Sequence, residues 1–426
     1  MEPWERSGGR GVKGTKTSSA PPAPPVAALG DDLLGEILLC LPDMASLASA
    51  ALVCKSWGRV ARVPAIFRRF GSLRRPQLVG FILAEGSDMN VPYHRPNLCF
   101  ISAKSRNPDA ASAAADGDFF LEDLPDIDPA GDEGNRRYDD QWRLRGCDGG
   151  LLLLARGRAA VELAVYNPLA RTAIFFRVPS AWRDSSHVAR YAIVADDADA
   201  TFRVVGALYW AGSSSAVFSS RTREWDMIES SDATRVLPIF SGCQSDGMPA
   251  GRYVYWRSNT KKSQDYRNKE KILVLDTETM VWSVIRPPFP PGESYCIADM
   301  AEHGGLCIVS SKDQCVQLWV RSSSAEWVLK KEVSLLKEFG YLKKQLPRDE
   351  WMKRVRILAM KVSYVYMEFW SINKPHSYLL VLNLNTIKLE IFPNKSTEPY
   401  RGPAFPLFIP LAPLPAPDDD KTLPGA

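Results

Sequence analysis

Five stretches of this chain repeat one pattern, and the repeat limits what the chain can fold into more than any other feature. Each stretch is an apolar run, a polar turn built on Asn, Asp or Ser, and a second run opened by an aromatic or large apolar residue. The copies are Leu163–Val178, Ala216–Ile228, Ile272–Ile285, Val316–Leu329 and Leu379–Phe392. Their starts are 53, 56, 44 and 63 residues apart. Two apolar runs joined by a short polar turn form a β-hairpin. Asn167-Pro168, Asp276-Thr277 and Asn383–Asn385 supply side chains that cap tight turns. One hairpin cannot bury both its faces, so each copy needs a neighbour on either side.

A second motif precedes each hairpin. Gly149–Leu154, Val204–Trp210, Gly251–Trp256, Gly304–Ile308 and Val362–Met367 all read as inner strands. Small residues let strands crowd near an axis, and Leu and aromatic residues pack between blades. Motif and hairpin together have the size of a four-stranded propeller blade. Leu78–Leu121 reads as a further, irregular blade. The expected body, over 75–410, is a β-propeller of about six blades. Seven are reached if Arg190–Val205 or the C-terminal strands form an additional one. The Trp residues near the start of each second hairpin strand are read as packing groups, since buried aromatic area contributes a few kcal/mol each, on the order of 3.

Other segments break the pattern. Residues 105–140 hold an Ala run and a cluster of acids, and read as an acidic disordered loop in which Phe119–Leu121 form one short strand. The acids around Asp126 and Asp128 lack the glycine and terminal Glu of a calcium loop. Lys330–Arg356 reads as an amphipathic helix-like insert and Arg257–Lys271 as a long exposed hairpin loop. Residues 1–28 and 411–426 read as a disordered Pro-rich tail and a flexible tail.

Ahead of the repeats lies a segment of helical period. Asp31 or Asp32 is placed to cap a helix. Leu33, Leu34, Ile37, Leu38 and Leu41 form its apolar stripe, and Pro42 stops it. Asp43 starts a second helix carrying Leu47, Ala50, Ala51 and Val53. A third runs through Lys55-Ser56-Trp57 toward Arg62. Phe67, Phe70 and Leu73 are expected to pack the segment against the next domain. At roughly 40 residues, such a unit usually needs a partner or neighbouring domain to be stable.

Composition narrows the function classes. A formal net charge of +4 over 426 residues gives no strong pull toward nucleic acid or membrane. The apolar runs are too short to span a bilayer, and no apolar leader is present. Eight cysteines are scattered without a Cys-x-x-Cys pair, which argues against zinc and a disulfide framework and for a reducing compartment. The four histidines lie far apart, and no nucleophile elbow or phosphate-cradling glycine loop is found. No catalytic residue, metal site or cofactor is expected.

Leu29, Leu33, Leu34, Glu36, Ile37, Leu38, Leu41, Pro42, Leu47, Val53, Cys54, Lys55 and Trp57 resemble the F-box pattern over 29–70. The resemblance implies a three-helix module that binds a Skp-type adaptor and, through it, the cullin and RING subunit of a ubiquitin ligase. The implied adaptor-binding residues are Leu33, Leu34, Ile37, Leu38, Leu41, Pro42, Leu47, Val53 and Trp57. The chain departs from the family at Leu29-Gly30, where the family carries Leu-Pro at the adaptor interface. The repeat region resembles the F-box-associated β-propellers of plants, including the grass expansions, chiefly through Tyr166–Thr172 and Leu273–Thr279. The fold class expected is therefore multidomain, α then all-β. The function implied is a non-catalytic substrate receptor of a Skp–cullin–F-box ligase, cytoplasmic or nuclear, holding an unknown target protein. Alternatives are a non-degradative adaptor-binding protein and a propeller that senses a small molecule or glycan.

Overall fold

The computed structural model describes residues 29–73, 77–84, 98–103, 108–124, 142–156, 161–183, 189–196, 201–208, 214–228, 246–257, 270–290, 293–312, 314–322, 324–340, 353–371, 377–393 and 404–409. The terminal segments 1–28 and 411–426, the acids from Asp126 to Glu133 and most of the 257–271 loop lie outside them. The chain divides into two compact units between Ile66 and Phe67.

The first unit is helical: α1 (Asp31–Leu39), α2 (Met44–Ala51) and α3 (Lys55–Ala61), with α4 (Pro64–Ser72) crossing the division. The fourth helix was not expected. Proline suits its first position, where a missing N–H costs nothing. Of the three residues expected to pack, Phe67 and Phe70 are buried and Leu73 is exposed.

The second unit is a six-bladed, all-β propeller. Five blades are four-stranded antiparallel sheets in chain order. Blade 1 takes β1 (Leu78–Ala84) and β2 (Leu98–Ser102). Blade 2 is β3 (Trp142–Asp148), β4 (Leu151–Arg156), β5 (Glu162–Asn167) and β6 (Thr172–Arg177). Blade 3 is β7 (Arg190–Asp196), β8 (Thr201–Leu208), β9 (Ser214–Ser219) and β10 (Trp225–Ile228). Blade 4 is β11 (Met248–Ala250), β12 (Tyr253–Arg257), β13 (Ile272–Asp276) and β14 (Val281–Ile285). Blade 5 is β15 (Ser294–Met300), β16 (Gly305–Lys312), β17 (Cys315–Arg321) and β18 (Trp327–Ser334). Blade 6 is β19 (Lys353–Lys361), β20 (Tyr364–Ser371), β21 (Ser377–Asn383) and β22 (Lys388–Pro393). The last strand, β23 (Ala404–Phe408), returns to pair antiparallel with β1, Ile82 facing Phe405. So the C-terminal strand completes blade 1, and Arg190–Val205 supplies two strands of blade 3. Neither forms a seventh blade.

The five repeat hairpins are the third and fourth strands of blades 2 to 6. Three of their turns share one chemistry. The side-chain oxygen of Asn167, Asp276 or Asn383 accepts backbone N–H groups two and three residues on. The residue four past each of these, Arg171, Met280 or Ile387, takes positive φ. The motifs expected to be inner strands are instead second strands. The innermost are β3, β7, β11, β15, β19 and β23, each touching the next until β23 meets β3. Strand β11 is only three residues long, and β3, β7 and β19 mix arginines with apolar residues, so their sequence pattern is weak.

Packing lies between the blades. Leu153, Tyr191, Val204 and Phe218 belong to the cluster joining blades 2 and 3, and Val205, Trp256 and Trp282 to the one joining blades 3 and 4. Alternate residues of β23 reach both neighbours, Leu407 in the cluster with blade 2 and Phe408 in the cluster with blade 6. Trp225 donates from its indole N–H to the Arg177 carbonyl of the preceding blade at 2.8 Å, and Trp327 to the Arg286 carbonyl at 2.9 Å. At Gly80 a Cβ would meet the Ile101 carbonyl at 2.3 Å, so only glycine lets β1 lie this close to β2.

Two expectations are corrected. The region 105–140 contains α5 (Pro108–Asp116), because the Ala run has high helix propensity, and Phe119–Leu121 form no strand. Phe119 instead stacks on Phe100 at 3.8 Å, beside blade 1, which has three strands. Asp118 anchors this strap by accepting from the Tyr166 hydroxyl at 2.5 Å and from the N–H groups of Glu122 and Asp123. Burial alone would raise the Asp118 carboxyl, but these donors outweigh it and hold it below the usual range. The described residues of the Lys330–Arg356 insert do not form the expected amphipathic helix, and 341–352 lie outside the described residues. Strand β18 runs to Ser334, paired with β17, and only one helical turn, Leu335–Glu338, follows among the described residues.

Candidate functional site

The helical module presents the candidate site. Helix α1 begins at Gly30, whose extended backbone makes no side-chain cap. Asp31 or Asp32 was expected to cap; both lie inside the first turn, and Asp31 pairs with Arg59 of α3 through two bonds of 2.6 and 2.8 Å. Its hydrogen bond with Arg59 holds the Asp31 carboxyl below the usual range. Both groups are exposed, so the pair orients α1 against α3 and contributes little stability. Helix α1 ends at the Cys40 cap, with Pro42 two residues beyond. Asp43 caps α2, accepting from Ser46 N–H at 2.8 Å. At Gly58 a Cβ would meet the Ala51 carbonyl at 2.6 Å, so glycine permits the close approach of α3 to α2.

The nine residues expected to bind the adaptor separate into two groups. Leu34, Leu38 and Leu47 are sealed inside, with Leu39, Ala50, Ala51, Val60 and Ala61. They hold the module together and are not available to touch a partner. Leu33 is 61% exposed, Ile37 41% and Val53 69%. Leu41 and Trp57 are half-buried and Pro42 is exposed. Leu33 and Ile37 are one four-residue step apart on α1, which places them on one helix face, and Leu41 lies two residues past the helix end. Leu52, 63% exposed, was missed. The signal was present, since Leu52 falls off the face defined by Leu47, Ala50 and Ala51. Exposed leucine, isoleucine and valine in one small module make this the candidate surface for a partner.

Residues 27–71 match the model of the F-box-like family. This segment is an F-box-like domain. No curated protein matches the chain. Among solved structures, the chain is similar to an oligogalacturonate lyase in complex with manganese, at 11% identity over 58% of this chain and 62% of that one, with a TM-score of 0.32. A Vibrio parahaemolyticus oligogalacturonate lyase matches at 11% identity, over 58% of this chain and 63% of that one, at 0.32. Pyrococcus horikoshii acylaminoacyl peptidase matches at 10% identity, over 60% and 40%, at 0.34. The chain thus spans under two thirds of each of these proteins, and no statement about activity follows from them.

Among the described residues, no three His, Cys, Asp or Glu side chains gather as a metal site, and no helix is long and apolar enough to cross a membrane. His303 is the one histidine described, on a short 3-10 turn. The buried acids of the propeller serve structure. Glu270 accepts from the Tyr295 hydroxyl at 2.9 Å, and Glu368 pairs with Arg356 at 2.6 Å. Burial pushes the thiols of Cys296 and Cys307 up to about 12, so both behave as small apolar groups.

Proposed function

We propose that this chain is a non-catalytic substrate receptor of a Skp–cullin–F-box ubiquitin ligase. The exposed apolar face of the F-box-like domain carries the reading. Leu33, Ile37, Leu41, Pro42, Leu52 and Val53 dock the Skp-type adaptor, with Trp57 at the margin, and the adaptor brings the cullin and RING subunits. The propeller holds a target protein, so that its lysines meet a charged ubiquitin-conjugating enzyme at high effective concentration. The loose likeness of Tyr166–Thr172 and Leu273–Thr279 to plant F-box-associated propellers supports a receptor of that type, working in cytoplasm or nucleus.

Co-purification with a Skp-type adaptor tests this. Leu33→Asp with Ile37→Asp adds two charges to a face that must be desolvated. The expected result is loss of adaptor with the helical circular dichroism unchanged. Wild-type adaptor recovery by this variant would refute the docking face. Gly30→Pro restores the family residue and is expected to raise adaptor affinity several-fold.

A further inference from the structure

A cleft of about 630 Å³ opens between blades 4 and 5, at the end of the ring that carries the short hairpin turns. Its blade 4 wall includes Val281 and Ser283 of β14, and its blade 5 wall Leu306, Arg321 and Ser322. At the register position of Ser283, opposite Val274, blade 2 carries Ile174 opposite Val165. Ile174 packs in the core between blades 2 and 3. A serine in that place fills less of the gap, and the space stays open.

The rim of this cleft is an uncharged sheet edge. Among the described residues, strand β14 pairs with β13 on one side only. Its outer N–H and C=O groups are a template for another strand. The outer strands β6, β10, β18 and β22 each carry charged residues, such as Arg177, Asp226, Lys330 and Lys388, which discourage strand addition. Strand β14 reads Val-Trp-Ser-Val-Ile and carries none, a lack it shares with the outer strand of blade 1, Leu98–Ser102, and it alone of the two borders this cleft. Val281 is 56% exposed beside the cleft, while Trp282 turns into the core of blades 3 and 4.

The available charge in the cleft is positive. The Asp276 carboxylate already accepts from the N–H groups of Glu278 and Thr279 and lies 3.7 Å from Arg252. Arg321 is exposed and makes no ion pair among the described residues. From these observations we propose that the cleft binds an extended peptide segment of the target, added to β14 as a fifth strand. One aliphatic side chain of the peptide covers Val281 and Leu306, and an Asp or Glu side chain reaches Arg321. Alternate residues of a strand share a face, so the aliphatic and acidic positions are an even number apart. This deepens the receptor reading, on which it rests, by naming the peptide chemistry it takes.

The test is selection of a displayed random heptapeptide library on the full-length protein, followed by titration of the recovered peptides as free synthetic peptides. Enriched sequences are expected to carry an aliphatic and an acidic residue an even number apart. Arg321→Glu is expected to weaken them at least tenfold, and Val281→Lys, at an exposed site that leaves the fold intact, to remove saturable binding. An absence of enrichment, enrichment without an acid, or indifference to both substitutions would each overturn the proposal. Adaptor co-purification by the same two variants should stay at wild-type level. Loss of adaptor docking in the wild-type chain would sink the receptor reading and leave the peptide site standing.

Discussion

Leu33, Leu52 and Val53 stand more than 60% exposed on a small helical module, while Tyr191, Tyr255, Trp256 and Tyr295 are sealed between propeller blades. Both regions are rich in apolar residues, and they spend them differently. A ring of blades supplies each blade with two neighbours, so every inner face finds a partner within the chain, and the last strand removes the ends. Three short helices have no such supply. Leu34, Leu38 and Leu47 saturate their small core, and the remaining apolar residues face outward. The difference teaches that closure, rather than composition, separates a region that seals its apolar residues from one that leaves several exposed.

Removing β23 is the strongest way to break that contrast. Truncation after residue 403 strips Leu407 and Phe408 from two inter-blade cores and leaves β1 unpaired on its inner side. Each buried side chain contributes about 1.5–3 kcal/mol, and the strand pairing adds to it. The truncated chain is expected to lose its near-ultraviolet circular dichroism and its cooperative thermal transition. A retained sharp transition would show that the ring does not need its closing strand.

A smaller effect separates the two kinds of leucine on α1. Leu38→Asp places a carboxylate where the side chain is fully buried, and is expected to cost about 4 kcal/mol or more and to melt the module. Leu33→Asp, on the exposed face, is expected to change stability by less than about 0.5 kcal/mol. Hydrogen exchange over residues 31–61 reads both. Equal effects would erase the division between core and exposed face.

Alkaline pH sharpens the contrast by a third route. Burial raises the phenols of Tyr191, Tyr255 and Tyr295 above their ordinary value of 10.0. The unfolded chain releases these protons near pH 10 while the folded propeller keeps them, so the unfolded state gains stability as pH rises further. Propeller stability is therefore expected to be full below about pH 10 and to fall above it. The helical module contains no tyrosine over 29–73 and should lack this component. Chemical denaturation at about pH 9 and about pH 11, either side of the ordinary phenol value, followed by exchange in each region, distinguishes them. A pH-independent propeller would contradict the buried phenols.

The smallest expected change is a gain. Val362, in the turn between β19 and β20, has φ +57°, which crowds a β-branched side chain. Val362→Gly relieves that conformation and is expected to stabilise the propeller by up to about 1 kcal/mol. A loss of similar size would mean that the valine side chain packs better than its backbone suggests.

Much of this was legible in residue order. The hairpins were readable because strand pairing and turn chemistry are local: Asn167, Asp276 and Asn383 cap their own turns. The helices of the module were readable from spacing for the same reason. The innermost strands were not, because β11 is three residues long and β3 mixes arginines with apolar residues. Helix α5 was hidden by the acids that come after its Ala run, and the strap over blade 1 depends on Asp118 meeting Tyr166 from 48 positions away.

Local order thus carries the two element types, the five-copy hairpin repeat and the presence of a leucine-rich helical module. Which leucines face outward, which strand lines the axis, how Ala404–Phe408 closes the ring and where Ser283 leaves a cleft were settled only by tertiary structure. Periodicity reports that a residue belongs to an apolar face. Whether that face meets a blade, a helix or solvent depends on neighbours far along the chain, and spacing alone holds no record of them.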